Sequence, residues 1–355
     1  MNDPRQLLDR LGLRFPIIQA PMAGVSTPQL AAEVSNAGGL GSLGLGASCP
    51  AQAREAIEQT RALTERPFNV NVFCHRPAER DMARETAWIE RLTPLFTEIG
   101  MAPPVVLKEI YGTFLDDDAM LQLLLELRPA VVSFHFGVPD VERIGALRQA
   151  GIVTLASATD LHEALIIERT GVDAVVAQGI EAGGHRSSFD PDALDERLST
   201  AILTRLLVRR TGLPVIAAGG IADGASIRSV LDLGAVAAQL GTAFILCPES
   251  AASQVYRDDL KSPRAAHTCL TRALSGRPAR GIVNRLVRFT QTARGAPPAA
   301  YPLAYDAAKQ LITAAAKQGN HDFAAHWAGQ AAMLVREMPA ADLVATLVAE
   351  LTADS

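Results

Sequence analysis

The stretch Val175-Val176-Ala177-Gln178-Gly179-Ile180-Glu181-Ala182-Gly183-Gly184-His185 changes character within a few residues. An apolar run ends abruptly in glycines, and the last glycine is followed by a single imidazole. A short apolar run bounded by glycines is typical of a buried strand. The stretch therefore predicts a strand of a parallel sheet, with a candidate site at its carboxyl end.

Similar short runs, rich in aliphatic and β-branched residues, recur along the chain and alternate with longer helical patterns. This alternation predicts repeated βα units of an α/β protein with a parallel sheet. Eight units favour closure into a (β/α)8 TIM barrel, with a doubly wound open sheet as the alternative. The predicted strands are Ile17–Ala20, Gly41–Leu43, Asn69–Phe73, Val131–Phe134, Val153–Ala156, Ala174–Ala177, Val215–Ala218 and Ala237–Leu240.

Two segments do not fit the repeat. The connection between the third and fourth strands, about residues 76–128, is far longer than one crossover helix needs, and residues 253–298 are rich in Gly and Pro. We expect both to contribute to a smaller, mainly helical and loop domain that caps the carboxyl-terminal mouth of the barrel. The predicted organisation is a barrel over 1–250, a substrate-covering domain over 251–311, and C-terminal helices over 312–355 that pack back on the barrel.

The C-terminal part of the chain is rich in alanine and shows helical apolar spacing. This pattern predicts helices over Ala304–Lys317 and Asp322–Leu351, with Pro339 dividing the second segment into two helices.

Composition excludes several classes of protein. The 355 residues are 48% hydrophobic with a net charge of -5 and no basic stripe, so nucleic acid is not an expected partner. No apolar run reaches the roughly 20 residues that span a bilayer, and no secretory signal is recognisable, so we expect a cytoplasmic protein without membrane partners. The four cysteines are far apart, so neither a disulfide framework nor a metal site is predicted; they are Cys49, Cys74, Cys247 and Cys269.

A glycine pattern near the N-terminus resembles a dinucleotide fingerprint. Gly39-Leu40-Gly41-Ser42-Leu43-Gly44 matches G-x-G-x-x-G, but that fingerprint has to follow a strand and open a helix. Here the preceding Thr27–Asn36 is predicted to be a helix, with Gly38-Gly39 ending it before a strand. We therefore reject the Rossmann interpretation.

Two later glycine loops predict a phosphate site. In TIM barrels the loops after the seventh and eighth strands often supply backbone N–H groups to a phosphate. Gly219-Gly220 follows the seventh predicted strand, and Gly241-Thr242 follows the eighth. Backbone amides without Cβ obstruction can converge on a dianion there, although each loop alone is equally well explained as a tight turn.

His185 follows Gly183-Gly184 where a barrel strand ends, which is where TIM-barrel catalysis takes place. An imidazole with its unperturbed pKa of roughly 6.5 can exchange a proton near neutrality. We therefore predict a catalytic His185, against a purely structural role. His135, after the fourth strand, is the second polar candidate. No role is predicted for the remaining histidines, which are His75, His162, His267, His321 and His326.

Four motifs together resemble the nitronate monooxygenases, formerly called 2-nitropropane dioxygenases. They are residues 15–24 (FPIIQAPMAG), 69–72 (NVNV), 178–185 (QGIEAGGH) and 217–221 (AAGGI). The resemblance implies FMN as cofactor. By this resemblance, the residues expected to hold FMN are Ala20, Pro21, Met22, Ala23, Gly24, Asn71, Gln178, Gly183, Gly219, Gly220, Gln239, Gly241 and Thr242.

A set of polar residues is expected at the barrel mouth. Tyr301, Tyr305 and Lys309 recur at i, i+4 and i+8, so they share one helix face. The resemblance, specifically to class I enzymes, places them with Tyr111, Tyr256 and His135 around a small anionic substrate. Without it, an ordinary solvated face is the simpler interpretation for Tyr305 and Lys309.

The resemblance implies an oxidoreductase that uses FMN and O2 to convert a nitronate to the oxo acid with release of nitrite or nitrate. The expected substrate is propionate 3-nitronate. Two alternatives stay open. One is a reductase of the same fold that uses NAD(P)H to reduce a quinone or an enoyl thioester, since barrel and FMN motifs do not separate these chemistries. The other is a non-catalytic flavin-binding module. The sequence predicts no particular oligomeric state.

Overall fold

The computed structural model describes residues 6–292 and 295–353. Its main sheet contains eight parallel strands in the order β1-β9-β8-β6-β5-β4-β3-β2. These are β1 Ile17–Gln19, β2 Gly41–Gly44, β3 Phe68–Phe73, β4 Val131–His135, β5 Val153–Ala158, β6 Ala174–Gln178, β8 Val215–Ala218 and β9 Ala237–Leu240.

The first and last strands of this order meet through a parallel bridge between Ile18 and Leu40. The amide of Gln19 donates to the carbonyl of Leu40 at 2.9 Å, and the amide of Leu40 donates to the carbonyl of Ile17 at 2.9 Å. These bonds close the sheet into a barrel. The eight predicted strands and the TIM barrel are therefore confirmed, with strand ends that differ by at most two residues.

Alternating side chains explain why the barrel strands are apolar on both faces. Val176 and Ile216 belong to one buried cluster, whereas their neighbours Val175 and Ala217 pack in clusters formed with the surrounding helices. Successive side chains of a strand point to opposite faces, so one set fills the barrel and the other receives the helices. Both faces are buried, which removes the polar alternation of an exposed sheet.

Helices surround the barrel. They are α2 Pro28–Asn36, α3 Pro50–Leu63, α5 Asp118–Leu127, α6 Val141–Gln149, α7 Leu161–Thr170, α8 Thr200–Arg210 and α9 Gly224–Asp232, with α1 Gln6–Leu11 at the start of the described chain. No such helix follows β9 directly. The position between α9 and α2 is filled by the C-terminal helix α13, Ala340–Thr352.

The two segments outside the repeat share a core at the barrel mouth. Helix α4, Met82–Glu98, comes from the connection between β3 and β4 and packs against α12, Leu303–Lys317. Trp88, Phe96 and Leu311 belong to this core. The boundary predicted at residue 311 falls inside α12, and of the two C-terminal helices α13 is the one that packs on the barrel helices. The cap also contains α10 Gln254–Leu260 and α11 Arg285–Thr292.

A small antiparallel sheet connects the barrel loops to the cap. It contains β7 Gly184–His185, β10 Thr268–Thr271 and β11 Ala279–Ile282, in the order β10-β11-β7. No helix in the described part of the chain is long and apolar enough to cross a membrane.

The helix predicted between Asp322 and Pro339 is wrong. This segment is irregular apart from one 3-10 turn at Ala332–Leu334. Its backbone groups pair elsewhere: the carbonyl of His326 accepts from the amide of Ile282 at 2.8 Å, and the amide of Gln330 donates to the carbonyl of Glu181 at 2.9 Å. Long-range pairing has replaced the local bonds that a helix needs.

Candidate active site

One cavity of about 490 Å³ opens at the carboxyl ends of the barrel strands. All residues predicted for the site line its wall: His185; Tyr111, His135, Tyr256, Tyr301, Tyr305 and Lys309; and the thirteen residues assigned to the cofactor. A second, more open concavity lies at the opposite end, near Arg10, Arg61 and Arg66. We place the active site at the first cavity because TIM-barrel catalysis occurs at the carboxyl ends of the strands.

His185 is held by groups from three parts of the chain. As part of β7 it pairs with Ala279 of β11, and its Nε2 lies 2.8 Å from the Ser275 Oγ. The ring centroid of Trp327 lies 5.0 Å away. Burial, assisted by His135 and by Arg277, lowers the pKa of His185 to about 3. The imidazole is therefore neutral at physiological pH, in contrast to the near-neutral titration expected from the sequence.

The backbone of His185 is held by two further site residues. Its carbonyl accepts a hydrogen bond from Gln178 Nε2 at 3.0 Å and lies 3.3 Å from His135 Nε2. A carbonyl can only accept, so this contact requires the proton of a neutral His135 to be on Nε2. The other end of the Gln178 amide accepts from the amide of Ser187 at 2.8 Å. These bonds fix the direction in which the loop after β6 presents His185.

Lys309 faces the cavity together with three phenols. Its Nζ lies 4.7 Å from the ring centroid of Tyr111 and 5.1 Å from that of Tyr305, and Tyr301 is 6.2 Å from Tyr111 between centroids. Burial lowers the pKa of Lys309. No carboxylate forms an ion pair with this ammonium among residues 6–292 and 295–353. Tyr301 is only 7% exposed and Tyr305 is partly buried, whereas Lys309 is an exposed residue whose side chain lines the cavity. Tyr305 therefore does not lie on a solvated face, and the role of Lys309 stays a prediction.

Glycine backbone lines the cavity at the two loops predicted to hold a phosphate. Gly219 and Gly220 have left-handed φ values of 119° and 70°. A Cβ on Gly219 would lie 2.8 Å from the Thr200 Oγ1, so this position is limited by space as well as by conformation. The Thr242 hydroxyl accepts from the amide of Gly329 at 3.0 Å, which leaves its own hydrogen available for a ligand. The structure thus brings both loops to one cavity.

Some residues at the site were not predicted from the sequence. Trp327 and Gly329 line the cavity but were assigned to a helix, and Ser275 and Arg277 lie in a turn without a recognised motif. His75, for which no role was predicted, is fully buried with its ring centroid 5.0 Å from that of Tyr301. Phe136 also lines the cavity, and no role was predicted for it.

A family model described as nitronate monooxygenase matches residues 5–350. The chain belongs to the nitronate monooxygenase family. It is 58% identical to the nitronate monooxygenase of Pseudomonas aeruginosa over 96% of this chain and 97% of that protein. It is 57% identical to the one of Paraburkholderia phytofirmans, over 98% and 95% of the two chains. The protein is thus an enzyme of the oxidoreductase class.

Solved structures are similar over nearly the full length. A nitroalkane oxidase from Streptomyces ansochromogenes is 42% identical with a TM-score of 0.88, and 97% of each chain is covered. FabK from Thermotoga maritima is 28% identical with a TM-score of 0.72, over 98% of this chain and 95% of that one. The barrel is therefore shared with proteins other than the named nitronate monooxygenases.

The buried histidines predict a pH-dependent stability for this member of the family. Burial lowers the pKa values of His75 and His135 to about 4 and that of His185 to about 3. Below about pH 6.5 the unfolded chain binds protons that the folded chain does not accept until about pH 4. We expect the free energy of unfolding to decrease as the pH is lowered through this window, by about 1.4 kcal/mol per pH unit for each histidine.

Urea denaturation between pH 7.5 and pH 4.5 measures this slope. His75→Phe should reduce the slope of the free energy of unfolding against pH by the contribution of one histidine. His162→Gln, at an exposed position, serves as the control. An unchanged slope in His75→Phe would contradict the assignment.

Proposed function

We propose that the protein oxidises alkyl nitronates with O2 at a bound FMN, and that propionate 3-nitronate is its preferred substrate. The products are malonic semialdehyde and nitrite or nitrate, so the reaction detoxifies the nitronate. The observation that carries this proposal is Lys309, an ammonium beside two phenol rings that faces the cavity without a carboxylate partner in the described ranges. Such a cation favours a ligand with its own anionic group.

The residues predicted for FMN suit a phosphate and a planar ring. In this proposal Gly219, Gly220, Gly241 and Thr242 hold the phosphate, with Gln239 close to it. The ring system is held by Ala20–Gly24, Asn71, Gln178 and Gly183. The wall of glycine backbone and the free hydrogen of the Thr242 hydroxyl support this arrangement. When bound, FMN would supply the electron transfer between the nitronate and O2.

A neutral His185 suits a substrate that is already deprotonated. A nitronate needs no general base, so the imidazole serves to orient the anion and to stabilise charge as the electrons leave. A neutral nitroalkane would need a base, and an imidazole with a pKa of about 3 is a poor one. We therefore propose nitronates rather than nitroalkanes as substrates.

The carboxylate end of the substrate is assigned to the other side of the site. Lys309, Tyr111, Tyr301 and Tyr305 offer one ammonium and three hydroxyl donors, a set that suits a carboxylate. His135 and Tyr256 complete the substrate pocket. Residues 1–250 then hold the cofactor, while 251–311 and the insertion at about 76–128 cover the substrate.

A reductase of the same fold is the second candidate, because the barrel and the FMN motifs do not separate the two chemistries. Such an enzyme would take its electrons from NAD(P)H. A non-catalytic flavin-binding module, in which the residues at the mouth only recognise a ligand, is the third candidate.

Oxygen consumption tests the proposal. The purified protein is assayed with propionate 3-nitronate in the absence of NAD(P)H, beside a control with NADH and a quinone. Uptake only with the nitronate supports the oxidation. NADH oxidation without nitronate turnover supports the reductase, and bound FMN without turnover in either assay supports the non-catalytic module.

His185→Ala is expected to retain FMN at wild-type stoichiometry while nitronate turnover falls. The imidazole is assigned to the substrate, and the flavin cradle is built from other residues. Lys309→Ala should retain FMN for the same reason. The absorbance of the purified variants near 450 nm measures occupancy. Loss of the yellow colour in either variant would show that the cofactor and substrate sites are misassigned.

A further inference from the structure

Arg277 is a buried cation that does not itself line the cavity. It is 3% exposed, and its Nη2 donates to the backbone carbonyls of Ser188 and Phe189. Its Nε has no hydrogen-bond partner. Within the described ranges, no carboxylate forms an ion pair with it. Buried charges are normally paired, so a buried arginine without an ion-pair partner is unusual, and this one lies next to the candidate active site.

The guanidinium packs on an aromatic ring that lines the cavity. Its Cζ lies 4.4 Å from the ring centroid of Phe136 and 5.8 Å from that of Tyr301. The Phe136 ring in turn lies 4.4 Å from His135 and 5.7 Å from His185, measured between centroids. Arg277 is therefore one ring removed from both candidate histidines.

The backbone at Phe136 is strained to place this ring. Its φ is +74°, a left-handed value that is unusual for a bulky residue and costs about 1–3 kcal/mol. The next residue, Gly137, has a φ of +156°, and a Cβ there would lie 2.5 Å from the carbonyl oxygen of Cys74. The surrounding structure therefore fixes the aromatic ring close to the guanidinium and to both imidazoles.

A single turn connects Arg277 to His185. The Ser275 Oγ lies 2.8 Å from His185 Nε2 and also accepts from the amide of Arg277 at 3.3 Å. The intervening Gly276 has a φ of +89°. A displacement of this turn would change the hydrogen bond at His185 and the position of the guanidinium together.

We propose that Arg277 is a positioning residue whose charge, held against the Phe136 ring, favours an anionic substrate in the cavity. This inference rests on the proposed nitronate oxidation for the identity of the anion. Arg277 acts through the field and the aromatic ring, since it does not line the cavity. Burial lowers the pKa of Arg277 to about 10, so the guanidinium still carries its charge at neutral pH.

The charges around this group agree with the proposal. A positive charge close to an imidazole disfavours its protonated form, and Arg277 contributes to the lowered pKa of His75, His135 and His185, after the larger effect of burial. The other charged or titratable groups that act on Arg277 are Tyr301, Glu163, Arg272 and Asp190, and Arg186 also acts on His135.

Histidine titration by NMR in the holoenzyme tests the proposal without requiring turnover. In Arg277→Met, the ring pKa values of His135 and His185 should rise by about one unit, because a positive charge that lies one aromatic ring away is removed. His135→Gln and His185→Gln assign the signals. Arg285→Met is the matched control, since Arg285 also lies over a phenylalanine ring but is 40% exposed and paired with Glu98.

Kinetics provide the second readout. For propionate 3-nitronate, Arg277→Met should raise KM about tenfold with a smaller change in kcat. Arg277→Lys should restore both KM and the histidine titration, because the charge is kept. A folded Arg277→Met variant with wild-type histidine titration overturns the proposal.

If Arg277→Met does not fold, Arg277→Gln is titrated in its place: raised pKa values of His135 and His185 support the proposal, and wild-type titration overturns it. If the protein does not oxidise nitronates, the proposed function fails, yet the titration still shows whether Arg277 controls the charge of the two imidazoles. The two failures are therefore distinguishable.

Discussion

Lys309→Met is expected to lower kcat/KM for propionate 3-nitronate by about 10- to 100-fold, while kcat/KM for propyl-1-nitronate changes by less than about threefold. Methionine keeps the length and apolar stem of lysine but removes the ammonium. In the wild type this ammonium lies beside the rings of Tyr111 and Tyr305 and has no carboxylate partner in the described parts of the chain. The loss in kcat/KM should therefore be confined to the nitronate that carries a carboxylate.

The measurement is steady-state oxygen consumption with both nitronates at one pH. Lys309→Arg keeps the charge and should recover part of the discrimination, limited by the different geometry of the guanidinium. Lys317→Met, at an exposed position of the same helix, is the matched control. Equal losses with both substrates would indicate that Lys309 supports the structure of the pocket and does not recognise a carboxylate.

Gly41→Ala is expected to abolish folding or to lower the free energy of unfolding by more than about 3 kcal/mol. A Cβ at this position would lie 1.9 Å from the carbonyl oxygen of Ala31 and 2.6 Å from its Cα. These are backbone atoms of α2, which packs directly on β2, so no side chain can rotate away to relieve the overlap. Overpacking of this kind forces a shift of the backbone itself.

Urea denaturation followed by circular dichroism measures the effect. Gly145→Ala is the matched control: it lies inside α6, no atom is within 4 Å of the added Cβ, and alanine should stabilise the helix by about 0.5–1 kcal/mol. Native-like stability of Gly41→Ala would contradict the close packing of α2 on β2.

Gly41 also shows what a glycine motif means in its structural context. The G-x-G-x-x-G pattern at Gly39–Gly44 lies after α2, and its last four residues form β2, so the order of helix and strand excludes a dinucleotide loop. The N-cap of α2 at Thr27, which accepts from the amide of Leu30, agrees with the predicted helix start. Local signals were sufficient here because helix caps and strand runs depend on nearby residues.

The helix prediction for residues 322–339 was wrong for the opposite reason. Alanine content and spacing favour a helix locally. In the structure, however, the His326 carbonyl accepts from the amide of Ile282, and the Gln330 amide donates to the carbonyl of Glu181. These partners are distant along the chain, so no local pattern reveals them. The same pairing brings Trp327 to the site, which explains why the sequence did not indicate it.

The sequence by itself determined the barrel strands and the loops that carry glycine and His185, because these depend on short-range periodicity and on the shared carboxyl edge of parallel strands. The family resemblance, and not the helical spacing, assigned Tyr301, Tyr305 and Lys309 to the site, and Tyr301 lies before α12, which begins at Leu303. Only the tertiary structure decided that His185 is neutral, that Ser275 contacts it, and that Arg277 lies against Phe136. Desolvation, charge and ring packing depend on which distant segments meet, and that is a property of the folded chain.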